Sequence, residues 1–340
     1  MTSTTAWTRR TFLGALAATP VAGALPTGAW ASTGAATSRD VTIGFVLDRG
    51  RVKRIDLPGN GDQAVLSRVT NRGRIVGKAP SRDGVGFDGL VGDVHRLRRF
   101  RFPGAKGTYA TKANDRGQIV GAANRRSPMV GFPGTFGYLL DGGRFTRIAV
   151  PGAVYTQALG LNNRGQVVGE YLDDDGKYHG FRWERGRFSR FFDGPDGLSG
   201  SLADINDRGD MVGVYFAEDG TLGGFRLRRG RYTKFGAFGF PLTFATDIND
   251  RGQIAGYAIS DLDLTEAHGF VLADGVGGPI TQIDVLGVPR TAVYGLDDRG
   301  RLIGVCDNPR ATRTTPGSTR VAQSPLLDAL PLGLSARRDA

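Results

Sequence analysis

Asp204 and Asp247 hold the same place in two copies of a recurring string, two residues before its Asn position. Arg68 and Lys112 hold that place in two other copies, and Gly160 and Gly295 in the last two. If the strand carrying this position is the innermost of its unit, the six side chains recur around an axis. Arg68 then stands across from Asp204, and Lys112 across from Asp247. Two carboxylates on neighbouring units could hydrolyse a glycoside if they stood about 5 to 9.5 Å apart. They could equally bind a polar ligand such as a sugar, or pair with neighbouring cations.

Other chemistry finds less support. There is no G-x-S-x-G elbow, and only His95, His179 and His268 are available to a Ser–His pair. His179 and His268 both precede Gly-Phe in equivalent copies, so packing or hairpin entry explains them better. Cys306 stands where other copies have Tyr171, Tyr215 and Ala258, a strand position. The run Asp173-Asp174-Asp175-Gly176 invites calcium, which takes six to eight oxygens, but the distal Glu of the EF-hand pattern is missing. A solvated turn accounts for it. No cofactor and no metal are expected.

The string that places these residues reads Leu161-Asn162-Asn163-Arg164-Gly165-Gln166-Val167-Val168-Gly169 in its clearest form. Copies centre on Arg72, Arg116, Arg164, Arg208, Arg251 and Arg299, spaced by 44, 48, 44, 43 and 48 residues. A second string alternates with it: Gly44-Phe45, Gly86-Phe87, Gly137-Tyr138, Gly180-Phe181, Gly224-Phe225 and Gly269-Phe270. Six of each define six structural units. The Asn-Asp-Arg-Gly turn suits a tight hairpin, because Asn or Asp caps the turn and Gly accepts positive φ. Short apolar flanks punctuated by Gly and Pro read as strands, and helical periodicity is nowhere sustained.

Four strands in about 44 residues, repeated six times, predict an all-β, six-bladed β-propeller. A β-solenoid fits less well, its repeats being shorter. The chain enters at the Gly44-Phe45 hairpin and leaves after the Arg299-Gly300 hairpin. Residues 41–56 are therefore expected to supply the outer strands of a blade whose inner strands are residues 291–305, closing the ring and hiding strand edges. An in-frame blade is the alternative.

The form A-x-x-[IL]-N-[ND]-R-G-Q-[IV]-V-G, followed by His179-Gly180-Phe181 and His268-Gly269-Phe270, resembles the HAF extracellular-repeat family. The resemblance covers about residues 41–306. It implies a secreted bacterial protein and brings no catalytic residues. The first unit departs from it with Thr70 and the last with Asp297.

Composition fits this architecture. Of 340 residues 53 are Gly, about twice the usual share of roughly 7%. A single Cys excludes a disulfide scaffold within the chain. Strand alternation puts both kinds of tight turn on one face, with Arg72, Arg116, Arg164, Arg208, Arg251 and Arg299 joined by Arg49, Arg51, Arg185, Arg187, Arg229 and Arg231. The longer loops, rich in Asp, fall on the other, so the disc is expected to be basic on one side and acidic on the other. The net charge of +11 then points to a polyanion, such as acidic polysaccharide, rather than nucleic acid. A monomer is expected. The plainer explanation is that Arg suits a solvated turn and was copied with the unit.

At the N-terminus, Arg9-Arg10, an apolar stretch from Phe12 to Ala24 and Ala29-Trp30-Ala31 read as a twin-arginine signal peptide over residues 1–31. The apolar stretch is too short for a membrane span. Residues 32–40 read as a linker, 41–306 as the propeller and 307–340 as a disordered tail. The leading expectation is an exported, non-enzymatic binding or scaffold protein at the cell envelope. The alternative is a carbohydrate-active propeller hydrolase or lyase using Asp204 and Asp247.

Overall fold

The computed structural model describes residues 43–55, 64–260, 266–273, 276–285 and 288–307. The expected signal peptide (1–31), the linker (32–40) and all of the tail beyond Asp307 lie outside the described residues.

Among the described residues the fold is all-β, with one three-residue 3-10 turn at Pro195–Gly197 and no α-helix. The strands in chain order are β1 (Ile43–Asp48) and β2 (Arg51–Ile55), then β3 (Val65–Val69), β4 (Ile75–Pro80), β5 (Phe87–Gly92) and β6 (Leu97–Phe100) of the first unit. The second unit holds β7 (Gly107–Ala113), β8 (Ile119–Asn124), β9 (Thr135–Asp141) and β10 (Arg144–Ile148). The third holds β11 (Tyr155–Leu161), β12 (Val167–Leu172), β13 (Tyr178–Glu184) and β14 (Arg187–Phe192). The fourth holds β15 (Gly200–Ile205), β16 (Met211–Phe216), β17 (Leu222–Arg228) and β18 (Arg231–Phe235). The fifth holds β19 (Leu242–Ile248), β20 (Ile254–Ile259), β21 (Ala267–Leu272) and β22 (Ile280–Ile283), and β23 (Thr291–Leu296) and β24 (Leu302–Cys306) follow.

Each unit is an antiparallel run of four strands, and parallel bridges link neighbours: Leu222 with Leu242 between the fourth and fifth, and Ala267 with Arg290 between the fifth and the segment leading into β23. β23 and β24 find their outer neighbours at the other end of the chain, in the order β2-β1-β24-β23, with Phe45 opposite Gly304. Apolar clusters fill the spaces between successive sheets: Leu161, Val167 and Phe181 meet Val120 and Ile148 between the second and third. Val46 and Ile303 meet Leu66 and Ile75 between the last and the first.

The two strings of the sequence meet physically. A Cβ added to Gly169, which closes the first string, would lie 1.9 Å from the Gln157 carbonyl oxygen and 2.9 Å from the Phe181 ring. The aromatic of the second string thus packs on the bare backbone that only Gly offers. The first unit departs from the expected pattern: Gly77 pairs with Leu90, so the aligned dipeptide is Gly89-Leu90 rather than Gly86-Phe87. Gly86 lies at φ +81° in the preceding turn.

Every innermost strand carries a register shift that leaves one residue unopposed, between Leu66 and Arg68, Ala110 and Lys112, Ala158 and Gly160, Leu202 and Asp204, Ala245 and Asp247, and Val293 and Gly295. Such bulges re-aim the next side chain. Thr111 shows how one is held: its hydroxyl donates to the carbonyls of Val120 and of Ala158 in the next unit, at 3.1 and 2.8 Å.

Candidate functional site

The residue after each bulge is the one singled out by the sequence. Lys112, Asp204, Asp247 and Arg68 converge from four units into one buried cluster. Lys112 Nζ donates to Asp204 Oδ2 at 2.8 Å and to Asp247 Oδ1 at 2.6 Å, and both carboxylates are 0% exposed. Arg68 Nε lies 3.6 Å from Asp247 Oδ2, and its Nη2 donates to the Thr246 carbonyl. The backbone amide of Ile248 donates to Asp204 Oδ2 at 3.1 Å, and that of Leu296 to Asp247 Oδ2 at 2.7 Å.

This corrects the expected pairing of Arg68 with Asp204. Arg68 goes to Asp247 because Gly295 opens a path. A Cβ at residue 295 would lie 3.1 Å from Arg68 Cα and 3.2 Å from its Cδ. Gly160 makes room for Asp204 in the same way, at 2.6 Å from its Cα and 2.8 Å from its Oδ1. The two glycines are the voids into which the charged side chains fold.

Two cations, Lys112 and Arg68, meet two carboxyl groups, Asp204 and Asp247. Burial pushes the Asp204 carboxyl up to about 8 against the pull of Lys112, and its Oδ1 makes no hydrogen bond. At Asp247 burial pushes upward too, but Lys112, the hydrogen bond with Asp204 and Arg68 outweigh it and hold this carboxyl well below the usual range. Each oxygen a hydrolase would aim at a sugar is instead aimed at protein or sealed from solvent.

Above this cluster, the second turn residues form a closed hydrogen-bond cycle. The amide of Asp115 donates to Asn163, Asn163 to Asp207, Asp207 to Asp250, Asp250 to Asp298 and Asp298 to Asn71, at 2.7 to 2.9 Å. Asn71 Nδ2 returns to Asp115 Oδ2 at 3.0 Å. With Lys112 beneath them, these residues line a cavity of about 60 Å³. Carboxylates on the turns therefore make the centre of this face acidic, which corrects the expectation of a uniformly basic face. Burial, with Asp298 and Asp207 adding to it, raises the Asp250 carboxyl.

The turn arginines lie outside that cycle. Arg116, Arg164, Arg208 and Arg251 sit on four separate turns, each with its backbone amide bonded to the Asn two residues earlier. They are not gathered into one site. Three of them line grooves between units: Arg116 with Arg72, Arg74 and Arg98 in one, and Arg164 and Arg208 with Arg182, Arg228 and Arg229 in another. The side-chain partnership at the edges of these turns, such as Gln166 Nε2 to Glu184 at 2.9 Å, confirms that both kinds of tight turn share a face. On the other face Asp83 lies 3.1 Å from Arg101 and Asp196 2.6 Å from Lys234, so its carboxylates are partly neutralised.

The remaining candidates are occupied locally. His179 places Nδ1 2.7 Å from Asp193 and Nε2 2.7 Å from Asp173, with Tyr171 stacked on its ring. His268 Nδ1 lies 2.8 Å from Asp284. Cys306 is buried, and burial pushes its thiol up to about 12.

No family model matches the sequence, and no curated protein matches it. Solved structures do show a likeness. A TolB-like protein from Agrobacterium tumefaciens is 12% identical, with 79% of this chain and 99% of that chain covered and a TM-score of 0.49. The β-propeller domain of the Trilobed protease from Pyrococcus furiosus is 14% identical over 71% and 81%, with a TM-score of 0.43. A fungal lectin of Aleuria aurantia, a fucose-recognising six-bladed β-propeller, is 12% identical over 72% and 95%, with a TM-score of 0.41. Likeness of this degree identifies no ligand for this chain. Among the described residues no helix is long and apolar enough to cross a membrane.

Proposed function

We propose that the chain is a six-bladed β-propeller of the HAF-repeat kind, exported by a twin-arginine signal. It works outside the cytoplasm as a non-enzymatic binding or scaffold protein, and its tight-turn face takes acidic polysaccharide or another polyanion. Supporting the blade count are the six four-strand runs, the pairing of β1 with β24 and the turn cycle that returns from Asp298 to Asn71 and Asp115.

The observation that carries the binding reading is backbone conformation. Arg49, Arg185 and Arg229 sit at φ +49°, +51° and +51° in the outer tight turns, where the second unit uses Gly142 at φ +55°. A residue other than Gly, Asn or Asp pays about 1–2 kcal/mol there. Arg in three such turns offsets no strain and fills no core, so its value lies in the cation it presents. The hydrolase alternative needs carboxylates open to a sugar, and Asp204 and Asp247 are sealed against Lys112 and Arg68.

A glycan and polyanion array probed with the mature chain tests this reading. Binding to acidic glycans is expected to weaken with salt. It should disappear when Arg72, Arg116, Arg164, Arg208, Arg251 and Arg299 are together changed to Glu. Salt-independent binding, or none, would overturn it.

A further inference from the structure

The grooves of the tight-turn face are not equivalent. The groove of the first and second units sets Arg72, Arg74, Arg98 and Arg116 against two lining carboxylates, Asp93 and Asp115. The groove between the third and fourth units differs. It encloses about 290 Å³ and is lined by Arg164, Arg182, Arg208, Arg228 and Arg229 with Asp210 as the one lining carboxylate. Five guanidinium groups against that one carboxylate leave a surplus of four positive charges.

Asp210 is shared with a further cation, Arg226, which lies outside the lining. Its Oδ2 accepts from Arg226 Nη2 at 2.6 Å, and it stands 3.6 Å from Arg228 and 4.0 Å from Arg208. Arg182 is paired with Glu184 at 3.6 Å, whose other oxygen accepts from Gln166. Arg164 and Arg229 make no ion pair among the described residues, and Arg229 holds its place at positive φ. Arg164 and Arg229 are therefore lining cations with donors to spare.

We infer that the Arg164–Arg182–Arg208–Arg228–Arg229 groove is the primary site for an acidic saccharide segment, its guanidinium forks holding successive sulfate or carboxylate groups. This rests on the polyanion reading above and narrows it to one groove. Planar guanidinium groups match these anions bidentately, which ammonium groups do not. The lining contains no aromatic side chain. A single-stranded nucleic acid would find phosphate contacts there but no ring on which to stack its bases. A saccharide needs none, since its anionic groups project from the chain at intervals.

Calorimetry with a heparin hexasaccharide and an oligogalacturonate of the same length tests the inference on the full chain and separates sulfate from carboxylate as the bound group. Arg164→Ser with Arg229→Ser should weaken the preferred saccharide about tenfold. It should also lower the slope of log affinity against log salt by about two, one per lost contact. Arg72→Ser with Arg116→Ser, in the groove of the first and second units, should change affinity less than about twofold. Equal losses in the two pairs would overturn the inference, as would an oligonucleotide of equal charge binding as tightly. Binding that vanishes on reversal of all six turn arginines yet ignores the Arg164/Arg229 pair would sink this groove alone. Absence of any saccharide binding would sink both readings.

Discussion

Arg301 Nε donates to Asp297 Oδ2 at 2.6 Å while Arg301 Nη2 reaches forward to the carbonyls of Thr70 and Asn71, each at 3.0 Å. In the four regular units the turn Asn makes this link itself: Asn114, Asn162, Asn206 and Asn249 each donate Nδ2 to a carbonyl of the following turn at 3.0 to 3.1 Å. Asp297 has no amide to give. Its neighbour Arg301, standing where Asn162 has Gln166, supplies the donor and ties the last turn to the first.

Arg301→Ala is accordingly expected to strand a largely buried carboxylate and to cut that link, at a cost of about 3 kcal/mol. Asp297→Asn combined with Arg301→Gln recreates the Asn162–Gln166 arrangement, in which Nδ2 meets Oε1 at 2.8 Å. Denaturant unfolding should show the double variant close to the parent. Two independent losses that simply add would refute the substitution of one device for the other.

Lys112 is the keystone of the axial cluster. Lys112→Met should cost about 3–5 kcal/mol, because it removes the donor that both buried carboxyl groups share and leaves Asp247 with Arg68 alone. Unfolding midpoints at acid and neutral pH test this directly: the loss should shrink at low pH, where Asp247 can take a proton.

The pH profile of the parent follows from the same pair. Asp204 titrates near 8 when folded, above its unfolded value of 3.8, so the folded state binds the extra proton between those limits. Its contribution is complete below about 3.8 and is lost as pH rises through 8. Asp247 has the opposite sign, being depressed: its contribution is present above 3.8 and is lost as pH falls below that. Stability should therefore peak in mildly acid solution and decline towards pH 8. Asp204→Asn should flatten that decline in melting temperatures measured across the window, and an unchanged slope would contradict the assignment.

Gly169→Ala would drive a methyl into the Gln157 carbonyl and the Phe181 ring. A loss of about 3 kcal/mol or more is expected. Gly176→Ala, with nothing within 4 Å but φ +78°, should cost only about 1 kcal/mol from its backbone alone. Chemical denaturation of the two variants side by side measures the difference.

Cys306 should resist thiol reagents at pH 8 in the native protein and react once guanidinium unfolds it, since burial keeps it in the thiol form. Rapid native labelling would show that β24 opens readily at the chain's seam.

The repeat period, the strand character and the pairing of the chain's two ends were all written in the sequence. Hairpin turns depend on local φ preferences that Asn-Asp-Arg-Gly announces without help from distant residues. The six positions Arg68, Lys112, Gly160, Asp204, Asp247 and Gly295 could also be listed from repeat alignment. Their partners could not. A bulge before each position turns the side chain towards the axis, and bulges depend on pairing rather than on residue type. Which cation meets which carboxylate was decided by where Gly160 and Gly295 leave space. In the same way, six turn arginines were visible as a pattern, but the carboxylates that claim some and leave others free come from strands and turns distant in sequence. Charge is counted along the chain, whereas its neutralisation depends on distances that only the packed units set.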